Sequence, residues 1–419
     1  MDRFIIEGGH QLKGSVEVRA AKNAVLPIIA ASLLADEGET VLKNIPAIQD
    51  VATMIKLLGT LGIRAHMDSN QQLRIDAREL SSIHADYELV RKMRASVLVM
   101  GALLGRMGRC EVSLPGGCNI GARPIDQHLK GLEQLGCTFE EVDGYIVGTV
   151  GQLIGNNVYF DRPTHTGTEN VLTAAVLARG TTNIYNASCE PEIKDVADFL
   201  NLMGAKIKGA GTPHIIVDGV ESLSGIEYRP MGDRLEAGTY LFGAMMTGGD
   251  IKVEGVNPEH LGIVLYKMNE MGAEIETGEE HISLNMLGRP AANNFITVPF
   301  PGFPTDLQPM AMANATISEG TSLVRETIFE NRFTHAQELR RMGADIMDLG
   351  DRASIRGIKH LKSAKVMASD IRGGAGLVLA GLAAKGKTEI LRVYHIDRGY
   401  EMLEKKLSSL GAVIERAIS

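Results

Sequence analysis

Six times along this chain one short pattern recurs: the end of an amphipathic helix, a glycine, and the first residues of a strand. The copies read LLGTLGIRA, GLEQLGCTF, FLNLMGAKI, KMNEMGAEI, LRRMGADI and KLSSLGAVI. Their glycines are Gly62, Gly136, Gly204, Gly272, Gly343 and Gly411, spaced by 74, 68, 68, 71 and 68 residues. A helix that ends in the left-handed conformation takes glycine there because glycine has no Cβ to clash. Upstream of each tail lies a more apolar segment: KNAVLPIIAASLLA, RASVLVMGALLGRM, GTENVLTAAVLA, RLEAGTYLFGAMM, DLQPMAMANAT and GGAGLVLAGLAA. A helix apolar on nearly every side has to be buried. A turn and a short strand usually follow it, as in ETVLKNI, CEVSLPG and TEILRVY. The period exceeds that of the common helical solenoids, roughly 20–47 residues. Six such units predict an α/β chain of two lobes, three repeats per lobe, with helices inside and sheets outside.

The rest of the composition narrows the function classes. A chain of 419 residues that is 44% hydrophobic has material for a sizeable core and for two or three domains. A net charge of −8, with both signs mixed along the length, argues against nucleic acid or an anionic membrane surface as partner. The opening MDRFIIEGGHQLKG is no secretory signal, and apolar runs such as residues 24–35 fall short of the roughly 20 residues needed to span a bilayer. The expectation is a cytoplasmic protein without membrane insertion and with no obligate protein partner. Four cysteines without a C-x-x-C pair, and 11 scattered histidines, indicate neither a disulfide framework nor a metal site. Phosphate-loop, dinucleotide-fold and nucleophile-elbow motifs are absent from the sequence, so no cofactor is implied. The best local candidate for a domain boundary is GIEYRPMGDR (225–234).

Charged residues sit where several of the buried helices begin: Lys22, Arg94, Arg234, Asp306 and Arg372. A second set precedes or opens the amphipathic helices: Arg123, Glu190, Arg332 and Arg398. A cation at a helix N-terminus opposes the dipole, but it suits an anion site, where unpaired N–H groups already point at the ligand. Asp306, after two prolines in FPGFPTDLQPM, reads either as a helix cap or as a general base. Cys118, in LPGGCNIGARP, follows two glycines in a loop without helical or strand period, five residues ahead of Arg123. It is suited to donate a proton or, as thiolate, to attack. Cys110 and Cys137 read as buried hydrophobes, and Cys189 fits either role.

The segments AKNAVLP (21–27), MRAS (93–96), LPGGCNIGARPIDQH (114–128), EPEIKD (190–195), GFPTDLQPM (302–310), ETIFENRF (326–333), SDIRGGA (369–375) and DRGYE (397–401) carry a resemblance. It covers essentially the whole chain and is to the UDP-N-acetylglucosamine 1-carboxyvinyltransferases, the enolpyruvyl transferases of bacterial peptidoglycan synthesis. It implies a two-lobed inside-out α/β barrel, with residues 22–230 as the first lobe and 1–21 with 231–419 as the second. It implies transfer of the enolpyruvyl group of phosphoenolpyruvate to the 3′-hydroxyl of UDP-N-acetylglucosamine, the first committed step of that pathway, with release of phosphate. Cys118 matches the family's proton donor and Asp306 the acceptor of the sugar hydroxyl's proton. Lys22, Asn23, Arg123 and Arg398 match the phosphoenolpyruvate site, with Lys22 and Arg398 also matching catalytic residues. Arg94, Arg123, Pro124, Ile125, Asp126, Gln127, Asp306 and Ile328 match nucleotide-sugar contacts, joined by Thr164, His165 and Thr166. Glu190, Asp233, Arg332, Asp370 and Arg372 match further active-site positions.

The stretch DRPTHTGTEN (161–170) departs from the familiar members by what reads as an extra residue, and by His165; Gln127 replaces a more usual hydrophobic residue. Alternatives are the sister reaction on shikimate 3-phosphate, 5-enolpyruvylshikimate-3-phosphate synthase, and a noncatalytic repeat protein that binds a phosphorylated ligand. By the resemblance, the epoxide fosfomycin is expected to alkylate Cys118. Mass spectrometry should find the adduct there and lose it in Cys118→Ala; an adduct elsewhere, or none, contradicts the assignment.

Overall fold

The computed structural model describes residues 2–113 and 124–418. They divide into two compact units, 20–113 with 124–231, and 2–19 with 232–418, each with its own apolar core. The crossings thus fall at 19/20 and 231/232, where the sequence reading has 21/22 and 230/231. Backbone hydrogen bonds set these points. The N–H groups of Ala20 and Ala21 donate to Asn44 and Met231 oxygens at 3.1 and 2.7 Å, while Asp233 N–H donates to Arg19 O at 2.9 Å. Asp195 adds a side-chain hold just before the second crossing, accepting from Tyr228 Oη at 2.7 Å and Met231 N at 3.1 Å.

In the first of these units the apolar segments form helices Lys22–Ala31, Val99–Met107 and His165–Ala175, which pack on one another. In the other unit the equivalents are Arg234–Thr247, Gln308–Ala315 and Ile371–Ala383, again packed mutually. Short 3-10 turns, Arg94–Leu98 and Thr305–Leu307, lead into two of the six. The amphipathic helices are Gln49–Thr60, Asp126–Glu133, Pro191–Met203, Gly262–Glu270, Ala336–Arg341 and Leu403–Ser409. All six tail glycines have φ between +87° and +118°, the region that a side chain makes costly.

Among the described residues, six four-stranded sheets accompany the six helix pairs, and all share one order. The strand after the buried helix pairs in parallel with an edge strand and antiparallel with a central one. That central strand in turn pairs antiparallel with the strand after the tail glycine. The second repeat shows the pattern: His84–Ala85 beside Arg109–Ser113, then Tyr145–Thr149, then Thr138–Val142. Alternation faces each sheet one way. In Thr321–Arg325 only Ser322 and Val324 are buried, so one face covers the helices. This arrangement of helices inside and sheets outside is the inside-out α/β architecture.

The sixth repeat obeys the order only by borrowing. Its central strand is Arg3–Glu7 from the amino terminus, with Lys387–Leu391 on one side and Val413–Ala417 on the other. The next amino-terminal strand, Lys13–Glu17, is the parallel edge of the fourth repeat, beside Asp250–Glu254. Pairing of these two strands is the physical reason that residues 2–19 belong with 232–418.

The buried helices approach closely where glycine permits. A Cβ at Gly101 would lie 2.2 Å from the Asn170 carbonyl oxygen of the neighbouring helix. The Asn170 side chain also accepts from the Gly101 N–H at 2.7 Å. Gly59, on the exposed side of helix Gln49–Thr60, has no atom within 4 Å of its Cβ position. The two therefore respond oppositely to alanine in urea unfolding. Gly101→Ala is expected to destabilise by about 1–3 kcal/mol. Gly59→Ala is expected to stabilise by about 0.5–1 kcal/mol. The same sign at both positions would contradict this packing.

Candidate active site

Each unit gathers polar groups at the starts of its buried helices. In the unit 20–113 with 124–231, Lys22 is the first residue of its helix. Its Nζ lies 2.7 Å from Asp50 Oδ2, and the Asp50 side chain is 3% exposed. Asn23 follows on the same turn, half-buried. Arg94 opens a 3-10 turn and donates from Nη2 to Pro124 O at 3.2 Å. Ile125 is the N-cap position of helix Asp126–Glu133, and Asp126 pairs with Arg162 at 3.1 Å. Gln127 is buried, with its amide committed to the protein. Oε1 accepts from Asp161 N at 2.9 Å, and Nε2 donates to Asp161 and Asp126 at 3.2 and 3.1 Å. Cys118 and Arg123 lie outside the described residues.

Within the departing stretch 161–170, residues 165–170 begin a helix. Thr164 caps helix His165–Ala175, its Oγ1 accepting from Gly167 N at 3.3 Å. His165 therefore holds, in the third repeat, the helix-start position that Lys22, Arg234 and Arg372 occupy at or near the heads of theirs. Its Nε2 lies 3.2 Å from Glu169 Oε1, one helical turn on. Burial opposes a charge on His165, but the carboxylates of Glu169, Glu190 and Glu192 outweigh it and lift the imidazole to about 10. Burial also raises Glu169 above the usual carboxylate range, against the pull of His165. Glu190 stands at the N-cap position of helix Pro191–Met203 and accepts from Ser188 Oγ rather than capping.

Thr166, on the same first turn, meets His128. Gly101 N–H fixes the Asn170 amide with its oxygen toward that donor, so Asn170 Nδ2 faces Val97 O at 2.9 Å and His128 Nδ1 at 2.9 Å. His128 Nδ1 is then an acceptor, and Nε2–H donates to Thr166 Oγ1 at 3.0 Å.

In the unit 2–19 with 232–418 the centre is Asp306. Arg332 Nη2 donates to its Oδ1 at 3.0 Å, and Arg372 Nε to its Oδ2 at 3.1 Å. The Asp306 side chain is 28% exposed, while those of Arg332 and Arg372 are 2% and 4% exposed. The cap reading of Asp306 does not hold. The preceding 3-10 turn puts Pro304 and Leu307 at the N-cap positions, and the two arginines take the carboxylate. Among the described residues, Arg332 Nε and Arg372 Nη1 are buried without a hydrogen-bond partner. Such unpaired donors are costly, and they cluster where a protein is shaped for something else to bind.

The true caps are Asp233 and Asp370. Asp233 Oδ1 accepts from Leu235 and Glu236 N–H at 2.8 and 2.9 Å. Asp370 Oδ1 accepts from Arg372 and Gly373 N–H, both at 3.0 Å, and lies 3.5 Å from Arg332 Nη1. Burial works against the Asp370 charge, yet Arg332 and the Gly373 N–H hold its carboxyl below the usual range. Arg372 stacks over the Tyr400 ring at 5.1 Å, and Tyr400 Oη meets Thr239 Oγ1 at 2.8 Å. Glu326, buried, draws the neighbouring loop together. Its Oε1 accepts from Thr297 Oγ1 at 2.8 Å and from the N–H groups of Ile328 and Phe329 at 2.9 and 3.2 Å, and its Oε2 from Thr305 Oγ1 at 3.0 Å. Arg398 ends the half-buried 3-10 turn Val393–Arg398. Asp50, Glu326 and the His128–Asn170 pair are the supporting residues that sequence reading missed; each partners a residue far along the chain.

Cys110 and Cys137 are buried, and burial pushes both thiols up to about 12, as expected of inert core positions. Cys189 is half-buried, its thiol also raised by burial. Among the described residues there is no His, Cys, Asp and Glu cluster able to hold a metal, and no helix long and apolar enough to cross a membrane.

Two solved structures share this architecture. The enolpyruvyl transferase NikO from Streptomyces tendae superposes with a TM-score of 0.88 at 23% identity, covering 99% of this chain and 98% of that one. EPSP synthase from Acinetobacter baumannii does so with a TM-score of 0.76 at 20% identity, over the full length of both. The fold is thus that of the enolpyruvyl transferases. The family model described as EPSP synthase (3-phosphoshikimate 1-carboxyvinyltransferase) matches residues 6–407, and the chain belongs to that transferase family. Among its relatives, proteins named UDP-N-acetylglucosamine 1-carboxyvinyltransferase are 52% identical in Coxiella burnetii (strain Dugway 5J108-111), covering 100% of this chain and 97% of theirs. In Halorhodospira halophila (strain DSM 244 / SL1) the identity is 49%, covering 99% of both.

Two histidines in these clusters should titrate on opposite sides of neutrality. Burial, with Arg332 against Asp370, lowers His335 to about 4, and among the described residues neither of its ring nitrogens has a hydrogen-bond partner. NMR of ring-labelled protein is expected to show His165 protonated up to about pH 10 and His335 neutral down to about pH 4. The His165 contribution to stability is complete below its unfolded value of about 6.5 and is lost as pH rises through the folded one. Either ring titrating near 6.5 contradicts its described surroundings.

Proposed function

We propose that this protein transfers the enolpyruvyl group of phosphoenolpyruvate to the 3′-hydroxyl of UDP-N-acetylglucosamine and releases phosphate. The observation that carries the reading is the relatives of that name, about half identical over the full chain. The paired arginines around Asp306, each with an N–H that finds no partner among the described residues, support it chemically.

In this reading the sugar hydroxyl oxygen adds to C2 of phosphoenolpyruvate while C3 takes a proton, giving a tetrahedral intermediate. Loss of a C3 proton then expels phosphate and restores the double bond. Asp306 accepts the hydroxyl proton, its carboxylate oriented by the two guanidinium groups. Cys118 supplies the proton to C3. Lys22, Asn23, Arg123 and Arg398 take the phosphate and carboxylate, and stabilise charge that moves during addition. Asp50 holds the Lys22 ammonium, so that its position is set before substrate arrives. Arg94, Pro124, Ile125, Asp126, Gln127, Thr164, His165, Thr166 and Ile328 form the nucleotide-sugar side, Gln127 through the backbone it orders. Glu190, Asp233, Arg332, Asp370 and Arg372 complete the polar frame. A cytoplasmic location accompanies this reading.

Phosphate release from phosphoenolpyruvate is the test. It is expected with UDP-N-acetylglucosamine and not with shikimate 3-phosphate; the reverse would assign the protein to the sister reaction. Asp306→Asn should still bind both substrates while turnover falls by about 10²–10⁴, the usual worth of a positioned base. Undiminished turnover removes Asp306 from that role.

A further inference from the structure

The segment that carries Arg398 is held from outside the site by one residue of the last strand, Arg416. Its guanidinium grips Asp397 in a fork, Nη2 to Oδ1 at 2.6 Å and Nη1 to Oδ2 at 3.0 Å. Nε donates to Glu404 Oε1 at 3.1 Å, and Nη1 lies 3.4 Å from Asp2 Oδ2. The same group stacks 4.9 Å over the ring of Phe4, which is fully buried. Arg416 therefore ties together the amino terminus, the 3-10 turn Val393–Arg398 and helix Leu403–Ser409.

The turn needs such a tie. It is bracketed by two non-glycine residues in the left-handed conformation, Arg392 at φ +59° and Met402 at φ +44°. Side-chain-bearing residues keep that conformation only where surrounding contacts impose it. Asp397 is also the sequence neighbour of Arg398, and a free carboxylate there would compete with an anionic substrate for the Arg398 cation. The Arg416 fork occupies both Asp397 oxygens.

We propose that Arg416 is a positioning residue for phosphoenolpyruvate binding: by clamping Asp397 and Glu404 it fixes the turn that presents Arg398 and keeps the adjacent carboxylate away from it. The inference rests on the assignment of Arg398 to the phosphoenolpyruvate site. A fork is required, since lysine supplies charge at a single point only.

Steady-state kinetics of the full-length protein, with both substrates varied, tests it. Arg416→Met, which keeps the packing on Phe4, should raise KM for phosphoenolpyruvate at least tenfold. KM for UDP-N-acetylglucosamine should stay within twofold, and the thermal unfolding midpoint within a few degrees. Arg416→Lys should raise the first KM at least threefold, and it carries the test if the methionine variant does not fold. An unchanged KM for phosphoenolpyruvate, or equal rises in both KM values, overturns the proposal. Arg398→Ala separates the two assignments. If it too leaves that KM unchanged, the role of Arg398 falls and the clamp with it. If it raises KM while Arg416→Met does not, only the clamp falls.

Discussion

A helix buried on nearly every side can persist in water only when it is surrounded, and the described residues contain six of them. The fold is the response. In each unit three such helices shield one another, and the half-buried sheets with their amphipathic helices close off the rest. Helices buried along their sides still have ends, and the first turn leaves N–H groups that need acceptors. Thr164, Asp233 and Asp370 meet that need directly. Charged groups collect at these ends, where the first turn offers unpaired N–H groups, while the polar residues further along, such as Asn170 and Thr239, are each satisfied within the core.

The charged residues placed there are not left to choose their own orientation. Lys22 faces Asp50, His165 faces Glu169, and Asp306 sits between Arg332 and Arg372. A buried charge without a partner is far more costly than the pair is favourable, so such pairs specify geometry more than they add stability. A site built from opposed fixed charges needs little rearrangement when a substrate brings further charge, which is where electrostatic catalysis draws its strength. Asp370 serves twice in this respect, capping its helix while steadying Arg332 from the other side.

Much of this was legible in the residues themselves. The tail glycines, the apolar helices and the charges at their heads depend on local pattern, and Gly62 through Gly411 all adopt the left-handed conformation that the pattern demands. Reading failed where partners are distant or a helix begins earlier than its apolar pattern. Asp50 looks like any acid on an amphipathic helix until Lys22 is placed against it. Glu326 draws on Thr297 and Thr305, which no spacing rule links to it. At 161–170 the polar character of PTHTGTEN hid a helix start, because Thr164, Thr166 and Thr168 resemble a loop in composition while the first serves as a cap. Asp306 was half-misread for the converse reason: it sits beside a helix start, but one turn of 3-10 geometry moves the cap positions away from it.

The amino-terminal strand Arg3–Glu7 fills the centre of a sheet whose other members include Lys387–Leu391 and Val413–Ala417. During synthesis, the unit spanning 20–231 is complete in the chain long before the strand that precedes it finds its neighbours. That strand stays unpaired on both edges until Lys387–Leu391 and Val413–Ala417 have been made. In the finished molecule Arg3 lies opposite Ala417, so residues from far apart in the sequence are neighbours in one sheet. A short engineered linker from Ala417 to Arg3 could close this sheet in a permuted variant, its new ends opened in an exposed turn between strands.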